Sequence, residues 1–153
     1  MSEIVSKYIE CFVYKNHIFA HKFLLLKRSE STKVHPGIWQ IVTAKIDSGE
    51  KACETVKREV VEETGLQPVK ILVGPYLNQF YDYEKDTINM VPVFIAEVDT
   101  EDVKISEEHC EYEWLSFEDA MSRLHWINQK ERLGEIYKYL KTKDLLNTLV
   151  QIP

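Results

Sequence analysis

Ala44 to Leu66 reads A-K-I-D-S-G-E-K-A-C-E-T-V-K-R-E-V-V-E-E-T-G-L, and the rest of the chain is arranged around it. Its centre, Arg58-Glu59-Val60-Val61-Glu62-Glu63-Thr64-Gly65-Leu66, carries carboxylates at i, i+3 and i+4 behind an arginine. On a helix, side chains three and four apart share a face, so Glu59, Glu62 and Glu63 project together. Ala52, Val56 and Val60 fall on the neighbouring stripe, which makes the carboxylates border the buried face. Three anions there need compensation, and a hard divalent cation such as Mg2+ or Mn2+, accompanied by a phosphorylated substrate, supplies it most simply.

Local signals place the ends of that helix. Asp47 or Ser48 is an N-cap with Glu50 three residues after Asp47 in capping-box spacing, Gly65 suits a left-handed C-terminal position, and Pro68 forbids continuation. A helix is expected from about Glu50 to Thr64.

The stretch resembles the box of the Nudix hydrolases, G-x5-E-x7-R-E-U-x-E-E-x-G-U with U aliphatic. Glu50, Arg58, Glu59, Val60, Glu62, Glu63, Gly65 and Leu66 match, and only the first glycine departs, as Ala44. Trp39-Gln40-Ile41-Val42-Thr43, just ahead, is similar to the dihydroneopterin-triphosphate and dATP pyrophosphohydrolase branch. The resemblance implies an α/β fold, an α/β/α sandwich with a mixed curved sheet and a loop-helix-loop box over 44–66, in a single domain spanning 1–153. It implies Mg2+, with Mn2+ able to substitute, held by Glu59, Glu62, Glu63 and the Thr43 backbone carbonyl. Arg28, closing an early strand, is expected to contact a substrate phosphate, and Trp39 and Gln40 to lie near the base or pterin. Catalytic roles fall on Glu62, Glu63 and Glu108, with Arg58, which cannot deprotonate, pairing with a carboxylate such as Glu62 and Glu50 anchoring the loop. An alanine at 44 disfavours positive φ, so a small change of geometry there is an expectation too.

Glu108 is also singled out by alternation. In a strand over Glu108 to Leu115 it shares parity with Cys110, Tyr112 and Trp114, the apolar set, whereas Glu107, Glu111 and Glu113 share the opposite face. An inward carboxylate is costly unless it binds metal, is hydrogen-bonded or is protonated, which makes Glu108 the expected general base. His109-Cys110-Glu111 has the H-x-E of zinc deaminases, but no P-C-x-x-C follows.

The 153 residues, 44% apolar and 29% charged, suit one compact domain. A net charge of -6 argues against a nucleic-acid grip, and no apolar run is long enough to cross a bilayer. The partner expected is a small nucleotide-like diphosphate, as monomer or homodimer. Cys11, Cys53 and Cys110, widely spaced, read as reduced core residues of a cytoplasmic protein.

Strands are expected over Lys7 to Tyr14 and His17 to Arg28 as a hairpin, over Trp39 to Thr43, and over Val69 to Tyr83 and Ile88 to Val98 as a pair, the former interrupted at Gly74-Pro75. Tyr76, Phe80, Tyr81 and Tyr83 offer aromatic surface to a base or to the core. A helix from Phe117 capped by Ser116, a long helix over Asn128 to about Lys141, and a last turn or two of helix suggested by Leu145, Leu146, Leu149 and Val150 complete the chain. The function implied is Mg2+-dependent hydrolysis of a diphosphate bond in a nucleoside-triphosphate-like substrate (NTP, dNTP or dihydroneopterin triphosphate). The alternatives are another nucleoside diphosphate derivative, such as ADP-ribose, a dinucleoside polyphosphate or a nucleotide sugar, and a non-catalytic nucleotide sensor.

Overall fold

The structure is a computed structural model and describes residues 1–17 and 20–153. In chain order the elements are β1 (Glu3–Val5), β2 (Tyr8–Asn16), β3 (His21–Arg28), β4 (Trp39–Gln40), β5 (Val42–Lys45), α1 (Ala52–Thr64), β6 (Lys70–Val73), β7 (Asn78–Asp82), β8 (Thr87–Val91), β9 (Val93–Val98), β10 (His109–Leu115), α2 (Phe117–Arg123), α3 (Ile127–Lys141) and α4 (Lys143–Leu146). The expected first hairpin forms between β2 and β3, though positions 18 and 19 lie outside the described residues.

The larger sheet runs β10-β3-β2-β9-β6, and β4 and β5 pair with β3 and β2. The β2–β9 pair is parallel and its other pairs antiparallel, so the sheet is mixed. β3 stays with β2 only from Tyr14 to Asn16, while β5 takes Tyr8 to Cys11, so β3 and β5 diverge along the same edge of β2. The strand expected over Trp39 to Thr43 accordingly splits, β4 following β3 and β5 following β2 with Ile41 between them.

Alternation then builds two cores. Cys11, Val13, Leu24, Leu26, Phe94, Ala96 and Val98 face α1 and meet Val56 and Val60, whereas Phe12, Tyr14, Phe23, Leu25, Val93 and Ile95 face α2 and α3. The result is helix, sheet, helix. Phe117 stacks on Tyr137 at 4.0 Å, which joins α2 to α3.

Short-range signals behave as expected at three places. Gly65 has φ 72° and closes α1 with its N–H on Val61 O at 2.8 Å, Ser116 Oγ accepts from Asp119 N at 3.2 Å, and Gly74-Pro75 separates β6 from β7. The start of α1 differs. Helical backbone begins at Ala52, with Lys51 as N-cap and Glu54 returning to the Lys51 N–H at 2.9 Å, because Glu50 is drawn out of the helix by Arg58. Ala44 lies in β5, and the only non-glycine residues with positive φ among those described are His35 and Asp86, so its methyl group costs no backbone strain.

The smaller sheet, β1-β8-β7, contains a strand that alternation did not reveal, β1, parallel to β8. Tyr76, Phe80, Tyr81 and Tyr83 are exposed around it rather than buried in a core. Its inner edge is tied to the larger sheet through Glu10, whose carboxylate accepts from Asn78 Nδ2 at 2.9 Å and from Gln129 Nε2 of α3 at 2.6 Å.

Candidate active site

Val56, Val60 and Glu63 lie on one stripe of α1, so the packing that buries the valines carries Glu63 with them; it is 4% exposed. Glu59 is half-buried and Glu62 faces solvent. The three carboxylates therefore sit at three depths along one wall of a cleft of about 330 Å³, whose other wall is Ser106, Glu107 and Glu108. That second wall is held by main-chain bonds: Lys104 N reaches Thr64 O at the end of α1 at 2.8 Å, and Ser29 N donates to Glu108 O at 2.9 Å.

Arg58 organises the rim. Its Nε and Nη2 clasp Glu50 at 2.9 Å each, and its Nη1 reaches Glu59 at 2.7 Å and Glu62 at 3.1 Å. The expected pairing with Glu62 is present, but the two-pronged bond to Glu50 is the larger constraint, and it holds the Glu50 carboxyl down at about 2. Glu50 thereby anchors the loop ahead of α1.

Glu63 is pushed the other way, up to about 9, first by burial and then by Glu108 and Glu59, with Arg28 opposing. Burial also raises Glu59, against the pull of Arg58. Oε2 of Glu63 is buried without a hydrogen-bond partner, a condition that costs a buried polar group about 1–3 kcal/mol. Carboxylates crowded in this way, one of them uncompensated, fit a hard divalent cation with oxygen ligands. Glu59, Glu62 and Glu63, the residues expected to hold one, all line the cleft.

Glu108 joins this cluster, but not by the expected route. It lies one residue before β10 and is exposed, and a bulge between His109 and Glu111 shifts the alternation: Tyr112 and Trp114 stand opposite Leu26 and Leu24 on the α1 side as expected, but it is His109, opposite Arg28, that shares their face and is buried, while Glu108 and Cys110 are exposed. Its carboxyl nevertheless lies against Glu63, the two together with His109 bringing one ligand atom each within 4.8 Å.

The remaining expected residues do not line the cleft. Arg28 pairs with His109 across β3 and β10, donates through Nε to Val34 O at 3.0 Å, and acts on both Glu63 and His109. Trp39 is half-buried, with the Arg123 guanidinium 5.0 Å from its ring. Gln40, expected near the base, is buried instead and turns its amide to His109, Nε2 to Nε2 at 3.5 Å. Thr43 is half-buried in β5 beside Gln129 and outside the cleft lining. His109 enters the sequence reading only through the rejected H-x-E, since it stands in no metal-ligand spacing with the other histidines. Glu10 carried a signal, a lone carboxylate between Ile9 and Cys11 in an apolar strand.

The sequence matches the family model of the NUDIX domain over residues 10–136. It is 31% identical over 122 residues to the asymmetrical bis(5'-nucleosyl)-tetraphosphatase of Rattus norvegicus, covering 78% of this chain and 80% of that one. It is 30% identical over 107 residues to the nucleoside triphosphatase NudI of Escherichia coli, covering 65% and 76%. Among solved structures, the dihydroneopterin triphosphate pyrophosphohydrolase of E. coli superposes with a TM-score of 0.69 at 20% identity, over 88% of this chain and 98% of the other. Since the family model spans most of the chain, this chain belongs to the Nudix hydrolases, enzymes that cleave the diphosphate bond of nucleoside diphosphate derivatives.

Proposed function

We propose that the protein hydrolyses a nucleoside-triphosphate-like substrate, an NTP, dNTP or dihydroneopterin triphosphate, with Mg2+ as cofactor and Mn2+ able to substitute. The observation that carries this is the convergence of Glu59, Glu62, Glu63 and Glu108 on one cleft, with a buried carboxylate oxygen left uncompensated. Glu59, Glu62 and Glu63 hold the cation, with the Thr43 carbonyl as a main-chain ligand. When bound, it neutralises the diphosphate and lowers the pKa of the attacking water.

The chain's own residues do the rest. Arg58 locks the rotamers of Glu59 and Glu62 against Glu50, so the ligand oxygens are oriented before substrate arrives. Glu108, exposed at the cleft edge, takes the proton from the nucleophilic water. Arg28 lies close enough to the cluster to meet a phosphate with its planar fork, and Trp39 offers a half-buried ring to a base. The unit is a single domain over 1–153 acting on small nucleotides in the cytoplasm, without nucleic acid or membrane partners. Its three cysteines are free, as a reducing compartment would keep them, though only Cys11 is in the core as expected, Cys53 being half-buried and Cys110 exposed.

A second reading, cleavage of a dinucleoside polyphosphate, is favoured by the 31% identity to the rat tetraphosphatase. A sensor domain is disfavoured because all the box carboxylates are retained. A phosphate-release screen with Mg2+ over NTPs, dNTPs, dihydroneopterin triphosphate, ADP-ribose, nucleotide sugars and dinucleoside polyphosphates separates them. The highest kcat/KM is expected on a triphosphate, with Glu108→Gln lowering kcat by about 10²–10⁴-fold at nearly constant KM. Preference for a dinucleoside tetraphosphate, or a flat panel with nucleotide binding intact, overturns the triphosphate assignment.

A further inference from the structure

We infer that Gln40 and His109 form a relay that positions Glu63, the Gln40 amide setting the tautomer of the His109 ring so that its Nδ1–H faces the buried oxygen of the carboxylate. The inference rests on the reading of Glu63 as a metal ligand.

The ring of His109 is buried, and its two nitrogens meet different surroundings. Nε2 lies 3.5 Å from Gln40 Nε2; with the amide in this orientation its nitrogen donates, Nε2 of the ring accepts, and the ring proton falls to Nδ1. Nδ1 in turn lies 3.9 Å from Glu63 Oε2. Both atoms are buried, and neither has a hydrogen-bond partner. A donor and an acceptor, each unpaired, face one another across a gap about 1 Å longer than an N–H···O bond. A small side-chain rotation closes it.

Gln40 comes from β4 and His109 from the start of β10, and both strands pair with β3. The bulge after His109 turns its ring inward while Glu108 stays in the cleft, so adjacent residues serve the carboxylate cluster from opposite sides. His109 does not line the cleft, whereas Glu59, Glu62, Glu63 and Glu108 do. A hydrated cation in the cleft therefore meets carboxylates, and His109 acts through Glu63 as a positioning residue. Once Glu63 gives an oxygen to a cation, the Nδ1–H holds the other, fixing the side chain's orientation. Among the described residues Oε2 has no hydrogen-bond partner. Outer partners of this kind change metal affinity by about 10–100-fold.

The test is Mn2+ titration by calorimetry on the wild type, Glu63→Gln, His109→Leu and His109→Asn, together with imidazole 1H–15N spectra of the wild type with and without Mg2+. The asparagine amide restores a donor near the position of Nδ1; leucine fills the volume without one. The expected outcome is about 10–100-fold weaker Mn2+ binding in His109→Leu and substantial recovery in His109→Asn. The spectra should report the Nδ1–H tautomer, with that proton shifting downfield when Mg2+ is added. An Nε2–H tautomer, or wild-type affinity in His109→Leu while Glu63→Gln loses Mn2+, overturns the relay alone. Unchanged Mn2+ binding in Glu63→Gln, or none in the wild type, overturns the metal reading and the relay with it. The spectra need only the wild type, so the relay stays open to disproof even if both His109 variants fail to fold.

Discussion

Two buried glutamates in this fold have opposite surroundings. Glu10 is 7% exposed and Glu63 is 4% exposed, and each follows apolar neighbours into the interior, Glu10 in a strand and Glu63 on a helix stripe. Glu10 has a donor on each oxygen, from Asn78 and Gln129, whereas Glu63 has an orphaned oxygen and a second carboxyl, Glu108, beside it. Burial raises both, but at Glu10 two hydrogen bonds oppose it, and at Glu63 neighbouring charges add to it. A buried carboxylate by itself therefore does not mark a site. Incomplete compensation does, because a folded structure retains an unpaired buried group at a cost that a ligand removes.

The largest effect that divides the two is catalytic. Glu63→Gln and Glu62→Gln are expected to lower turnover by orders of magnitude and to weaken Mn2+ binding while the fold persists, whereas Glu10→Gln leaves Mn2+ affinity unchanged. Calorimetry with Mn2+ on the three variants checks this, and equal affinities throughout would break the distinction drawn between the carboxylates.

A smaller effect runs the other way. In Glu10→Gln an amide NH2 meets the NH2 of Asn78 or Gln129, leaving a buried donor unpaired, and a loss of about 1–3 kcal/mol is expected in urea unfolding. In metal-free protein Glu63→Gln removes a carboxyl from crowded neighbours and should not destabilise. A stable Glu10→Gln would mean that its network is not the tie between the sheets that it is taken to be here.

A third effect is the pH dependence of metal-free stability. Glu63 rises from the ordinary 4.5 to about 9 on folding, so between these values the folded state keeps a proton that the unfolded state has released. Its contribution makes stability fall as pH rises from about 4.5 to 9, complete at the upper end and absent below the lower. Glu63→Gln should flatten that slope and raise Tm at pH 8 by about 2–4 °C for each kcal/mol recovered in a domain of this size. Thermal melts of both proteins across this range, in chelator, measure it; parallel curves would show that Glu63 does not carry the burden assigned to it.

What was legible in the chain was what short-range physics writes into it. The box helix, its glycine stop, the Ser116 cap and the break at Gly74-Pro75 each depend on residues within about one helical turn of one another, where backbone geometry and capping decide the outcome. The same range explains why Glu59, Glu62 and Glu63 were read together. The start of α1 was misplaced because Arg58, eight residues on, pulls Glu50 out of the first turn. The inward aim of Glu108 failed for a related reason: alternation holds only in an unbroken ladder, and a bulge set by pairing with β3 interrupts this one.

By itself, then, the sequence determined the box helix and its carboxylates, which follow from spacing along one helix, and the α/β class, which follows from alternation along strands beside helical periodicity; the Nudix family followed from the resemblance of the box. Only the tertiary structure decided which carboxylate is buried, that Glu108 reaches the cleft from a loop pinned to the end of α1, and that Gln40 serves His109. The depth of a side chain and the partner left opposite it depend on elements brought together from distant parts of the chain. Gln40 and His109 are 69 residues apart, and Glu10 and Gln129 are 119 apart. No local propensity encodes such a contact; it exists once β3 carries β4 on one side and β10 on the other, and once α3 closes over β2.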